Sequence, residues 1–109
     1  MPITIANLKK NRSSATIEFL GETAEVIYKP SEFTPELESE AASVEKDKIG
    51  EFLVTVLSRL IESWDVTSED GTQYEPTPEN LSKLQVDFLA AVLKGIGESI
   101  RVNQDDRKN

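Results

Sequence analysis

Ile49, Phe52, Leu53, Val56, Leu57, Leu60, Ile61 and Trp64 recur at intervals of three and four, a spacing that lines them along one face of an α-helix. A stripe of that length does not tolerate water, so the rest of the chain has to supply a surface that covers it. Two segments qualify. Toward the C-terminus, Val86, Phe88, Leu89, Val92, Leu93, Ile96 and Ile100 form a second one-sided helical pattern. Upstream, Ala15–Leu20 and Thr23–Tyr28 are rich in β-branched and aromatic residues and flank Gly21-Glu22. A glycine at the first of two turn positions suits a type II′ hairpin, because glycine supplies the positive φ. Ile17 and Phe19 share one face of this hairpin with Ala24, Val26 and Tyr28, and the opposite face is mixed. An isolated two-stranded hairpin is marginal in water, so the helices are its expected support.

The remaining segments are punctuation and short helices. Ile3–Ile5 reads as a short extended piece, followed by the basic run Lys9, Lys10 and Arg12. Thr34-Pro35-Glu36 has the N-cap, first-position proline and acidic first turn of a helix start, and Thr77-Pro78-Glu79 repeats the signal. Between Asp65 and Pro76 the pattern breaks into a polar loop, and a short helix holding Leu81 and Leu84 follows. The sum is an α+β domain: an N-terminal β-hairpin, with room for a third short strand, packed on three to four helices. Residues 1–102 form that single domain, and residues 103–109 read as a disordered polar tail. A chain of 109 residues has material for one core.

Composition narrows the chemistry. There is neither cysteine nor histidine, so disulfides, thiolate nucleophiles, cysteine-ligated metals and the usual neutral-pH general base are excluded. The net charge of −8 is uneven, with +1 on residues 1–30, −8 on 31–70 and −1 on 71–109. An acidic surface repels phosphate backbones and anionic lipid, which argues against nucleic acid and membrane as partners. The simplest role for such charge is solubility. The first ten residues lack the apolar core of a secretion signal, and no apolar run is long enough to span a bilayer. A cytoplasmic location is expected.

Three local patterns invite a chemical reading. Asp65, Glu69 and Asp70 stand beside Gly71, but anchoring an EF-hand on that glycine puts Val66 at loop position one and Thr77 at position twelve. The calcium register fails, and solvated turn acids remain. Gly95-Ile96-Gly97 lies late in a helical pattern, where no phosphate-binding nest forms; these glycines either permit close helix contact or weaken the helix near its end. Paired carboxylates across a sugar-binding cleft would need aromatic walls, and aromatics are only 6% of the chain, mostly inside the apolar stripes. No enzyme, cofactor or metal site is expected.

Partner-binding candidates are aromatic. Trp64 closes the helical stripe and is read either as a cap on the core or as a partly exposed anchor, since Trp and Tyr are enriched at interface hot spots. Tyr74 in the following loop and Phe33 before the first helix cap complete the set of partner-binding candidates.

The order of segments carries a resemblance. Ala15-Thr-Ile-Glu-Phe-Leu-Gly-Glu-Thr, then Tyr28-Lys-Pro and Phe33-Thr-Pro-Glu-Leu, resembles the opening of the tail assembly chaperones of long-tailed siphophages. So does Ser63-Trp-Asp-Val-Thr with Glu69-Asp-Gly, followed by Pro76-Thr-Pro-Glu-Asn-Leu and Phe88-Leu-Ala-Ala-Val-Leu. The likeness spans about residues 14–101 and contains no chemical signature. It implies a non-catalytic bacteriophage protein that binds the tape-measure protein and recruits tail-tube subunits. It also implies residence in the host cytoplasm, absence from the mature virion, and a longer form made by ribosomal frameshift. Self-association is compatible with the same reading. Two alternatives stand beside it. One is an acidic DNA-mimic inhibitor displaying Glu36, Glu40, Asp47 and Glu51. The other is a structural tail-completion or head–tail joining subunit.

Overall fold

The computed structural model describes residues 3–107, with side chains through Arg101. The fold is α+β, a three-stranded antiparallel sheet and its helices. Strands β1 (Ser13–Phe19) and β2 (Glu22–Tyr28) form the hairpin, and β3 (Ile61–Trp64) pairs with β2 to give the order β1-β2-β3. Helices α1 (Ile5–Lys10), α2 (Pro35–Ser43), α3 (Ile49–Leu60), α4 (Pro78–Leu81) and α5 (Val86–Arg107) complete the chain. One-turn 3-10 segments at Pro30–Glu32 and Lys46–Lys48 lead into α2 and α3.

The core lies between one face of the sheet and the helices α3 and α5, which also pack on each other. Ala15, Ile17, Val26 and Tyr28 come from the hairpin, Leu53, Val56, Leu57 and Leu60 from α3, and Leu89, Val92 and Ile96 from α5, all buried. The alternation on the strands and the 3.6-residue period on the helices thus converge on one interior. Thr34 and Thr77 cap their helices as their sequences predict, their hydroxyl oxygens accepting from Leu37 N–H and Asn80 N–H, both at 3.2 Å. The deepest polar group, the Tyr28 hydroxyl, meets Ser99 Oγ at 3.1 Å, and Ser99 Oγ donates to Ser14 O at 3.2 Å. This chain ties the middle of α5 to the outer edge of β1.

Four local expectations are corrected. The piece Ile3–Ile5 is extended only as far as Thr4 (φ −112°, ψ 151°), which caps a helix with its hydroxyl accepting from Asn7 N–H at 3.2 Å, and Ile5 already opens α1. The long stripe does not stay helical to Trp64. Helix α3 stops at Leu60, and Ile61–Trp64 becomes the third strand, with Trp64 paired to Val26, Ser63 to Ile27 and Ile61 to Tyr28. That register leaves Glu62 as an extra residue, a β-bulge, so Ile61 and Trp64 both point inward although they are three apart. A bulged strand therefore imitates a helical interval. The polar segment 103–109 is helical as far as Arg107, and the rest of it lies outside the described residues. Once α5 is anchored by packing, each further residue extends an existing ladder without a new nucleus.

The fourth correction concerns the hairpin turn. It is formed by Leu20-Gly21, not Gly21-Glu22, and both residues have positive φ (53° and 81°). Positive φ at both central positions is the requirement of a type I′ turn. Shifting the turn by one residue gives a ladder of seven pairs, from Ser13↔Tyr28 to Phe19↔Glu22, and keeps the apolar face inward. Left-handed backbone costs an L-residue other than Gly, Asn or Asp roughly 1–2 kcal/mol. Leu20→Asn is therefore expected to stabilise the fold by about 1 kcal/mol and raise the melting temperature by about 4–8 °C. A thermal melt that is unchanged or lower would mean that Leu20 gains compensating contacts.

Candidate functional site

The loop between β3 and α4 is organised around Trp64. Its ring is buried at 4% exposure, tilted against Phe88 with centroids 6.2 Å apart. The indole Nε1–H donates to Tyr74 O, and Gln73 Nε2 donates to Trp64 O at 2.9 Å. Tyr74 in turn donates its hydroxyl to Asn80 O at 2.7 Å, while Tyr74 N–H donates to Val66 O at 2.9 Å. Trp64 thus holds the loop to the sheet on one side, and Tyr74 holds it to α4 on the other.

This geometry sorts the three aromatic candidates. Trp64 is a core residue and not an exposed anchor; the β-bulge turns it inward, and its one polar atom is satisfied internally. Tyr74 is half-buried and packs against the core through its ring. Phe33 is half-buried elsewhere, in a groove with Leu8, Tyr28 and Ile100 and close to Gly97. The structure brings Trp64 and Tyr74 together and leaves Phe33 apart.

The loop acids have local work. Asp65 Oδ1 accepts from Glu25 N–H at 2.8 Å, and Asp65 N–H donates to Glu25 O at 3.2 Å, extending the β2–β3 pairing by one position. Asp70 Oδ1 accepts from Thr72 Oγ1 at 2.7 Å and from Thr72 N–H at 3.1 Å. Those two bonds favour its charged form and lower its pKa below the ordinary carboxylate value. Gly71, at φ 88°, closes the turn. Among the described residues no group of three or more carboxylates gathers in a way that would hold a metal ion. Glu36, Glu40, Asp47 and Glu51 sit on α2, the second 3-10 turn and α3, so they do not share one helical face.

A site not legible from the sequence lies at the tip of the hairpin. Ile17, Phe19, Leu20 and Ala24 on the sheet side face Val66, Leu84 and Phe88 across an open cleft of about 910 Å³. Phe19 and Phe88 meet edge-to-face at its base, centroids 5.4 Å apart. Its charged rim residues are Glu22, Asp65 and Lys83. Leu20 overhangs the cleft at 84% exposure, in the left-handed conformation described above. The signal was present in the sequence as an apolar residue beside Gly21, but placing the turn one residue later hid it inside a strand. Its lining is mixed, the apolar side chains above standing beside Glu22, Thr23, Asp65, Thr67, Lys83 and Gln85, a composition suited to binding a partly apolar segment.

Comparison of the chain with protein-family models, curated proteins and solved structures finds no match.

Proposed function

We propose that the chain is a non-catalytic assembly chaperone that holds an apolar segment of another protein in the hairpin-tip cleft. In the specific form implied by the resemblance, it is a siphophage tail assembly chaperone. It then binds the tape-measure protein, recruits tail-tube subunits, works in the host cytoplasm and is left out of the finished particle. Leu20 is the observation that carries this reading. An exposed leucine in left-handed backbone gains nothing from packing within its own chain, and polar Asn would suit the turn better. Strain retained at a ligand-facing position is a recognised mark of function. Phe19, Val66, Leu84 and Phe88 offer an apolar floor beneath it, and the acidic surface keeps a chaperone–client complex soluble.

The test is a pull-down of the tagged chain co-expressed with its neighbouring genes, washed at low and high salt, for wild type and Leu20→Asp. Retention of a long helical protein at high salt, reduced at least about tenfold by Leu20→Asp, is the expected result. Capture of a basic nucleic-acid-binding protein that is lost at high salt would replace this reading with the DNA-mimic inhibitor. Recovery of the chain in purified particles would replace it with a structural tail or head–tail joining subunit.

A further inference from the structure

Among the described residues, the segment that leads into and forms α1 exposes several large apolar side chains. Ile3, Ile5 and Leu8 are 82%, 71% and 50% exposed, and α1 contributes no residue to the core. Contiguous apolar side chains rimmed by charge mark interaction surfaces. The charges of this segment itself are all basic: Lys9, Lys10 and Arg12 follow, and residues 3–12 contain no acid. Arg12 pairs with Glu62 at 2.9 Å, whereas neither lysine makes an ion pair among the described residues.

The same chain carries a surface of the opposite character. Between the first 3-10 turn, α2 and α3 runs a groove of about 180 Å³ in which the half-buried Leu37 is the accessible apolar side chain and Val56 lies beneath it in the core. Glu32, Glu36 and Glu40 line it, with Arg59 as its one cation, and none of these three carboxylates is ion-paired among the described residues. Residues 32–51 hold seven acids and two lysines, net −5. Helix α1 lies against the turn at Pro30–Glu32, so the two surfaces adjoin that turn in one chain, yet Ile3, Ile5 and Leu8 stay uncovered.

We infer that α1 of one copy docks against the α2–α3 groove of a second copy, its lysines on Glu32, Glu36 and Glu40 and its apolar side chains against Leu37. Complementary charge decides the pairing: two α1 helices repel each other, two grooves repel each other, and only the mixed contact is attractive. The contact joins unlike surfaces of two copies, so a chain that uses both its surfaces can bind two neighbours, and larger assemblies are allowed. This interface is independent of what fills the hairpin-tip cleft.

Sedimentation velocity of the full chain tests it, with Lys9→Glu/Lys10→Glu and Glu32→Lys/Glu40→Lys as the two single-surface variants. All four positions are exposed, so the folded core is expected to be kept, with near-UV circular dichroism as the control. The wild type is expected to self-associate, and raising salt from about 0.05 to 0.5 M to shift it at least tenfold toward monomer. Each variant alone is expected to be monomeric, their mixture to associate with one-to-one stoichiometry, and the chain carrying both reversals to associate again. A wild type that stays monomeric to about 1 mM overturns the inference. So does association that survives either reversal, which would move the contact to another surface.

Discussion

Trp64→Ala is expected to destabilise the domain by about 3–5 kcal/mol, the range for removing a buried tryptophan ring. Against a total stability of about 5–15 kcal/mol for a domain, this is a large fraction. Three things are lost together: the contact with Phe88, the inward side chain that fixes the bulge of β3, and the donor to Tyr74 O. The loop between β3 and α4 should loosen more than the rest. Urea unfolding is expected to shift its midpoint downward by roughly 2 M, and limited proteolysis to cut between residues 65 and 77. Trp64→Phe separates the terms, because it keeps most of the buried ring and removes only the N–H, for about 1 kcal/mol. A small effect of Trp64→Ala, with a binding defect instead, would return Trp64 to the surface role that the fold denies it.

Substitution at Gly95 is expected to be nearly as damaging, by a different route. A Cβ at this position would overlap Cδ1 of Ile17, which is buried, and would lie 3.9 Å from Thr16 O. Gly95 is thus the point of closest approach between α5 and β1. Gly95→Leu should cost about 3 kcal/mol, from overpacking of a large side chain between α5 and β1. Gly95→Ala sets two effects of similar size against each other: a gain of about 1 kcal/mol in helix propensity and a steric loss of about 1–3 kcal/mol. Ile17→Val deletes the colliding carbon. In the Ile17→Val background, Gly95→Ala should therefore lose its steric cost and become stabilising by about 1 kcal/mol. A double-mutant cycle by thermal or urea unfolding reads this directly, and additivity of the two changes would refute the close contact.

Both predictions concern positions whose types the sequence marks and whose roles it leaves open. Trp64 completes a helical interval, and the interval is real, but a one-residue bulge in a strand produces it equally well. Gly95 reads either as a residue for close helix contact or as a weak point near the helix end, and the structure supplies the contact, Ile17 on β1, which is 78 positions away. The candidate site was less legible still. Two of the three aromatic candidates, Trp64 and Tyr74, serve to organise the loop, and Phe33 packs in a separate groove. Leu20, the residue that carries the proposed function, is unremarkable in the sequence because its exposure depends on where the hairpin turns.

What the sequence determined by itself is most of the buried side chains and the class of fold. The stripe of α3, the stripe of α5 and the alternation in β1 and β2 mark the residues that leave water, save Ile49 and Val86 at the stripe ends, which stay exposed, because burial of apolar surface is non-directional and reads directly as periodicity. Thr34 and Thr77 determine their helix starts locally, through a side-chain acceptor within three residues. Only the tertiary structure decided the backbone pairing. Leu60 ends α3 because β2 has hydrogen-bonding groups that require a partner strand, and Lys29 N–H takes Leu60 O at 2.8 Å. The turn at Leu20-Gly21, the bulge at Glu62 and the cleft at the hairpin tip all follow from that pairing. Hydrogen-bond partners distant in sequence leave no periodic trace, so these features emerge only when the sheet is assembled.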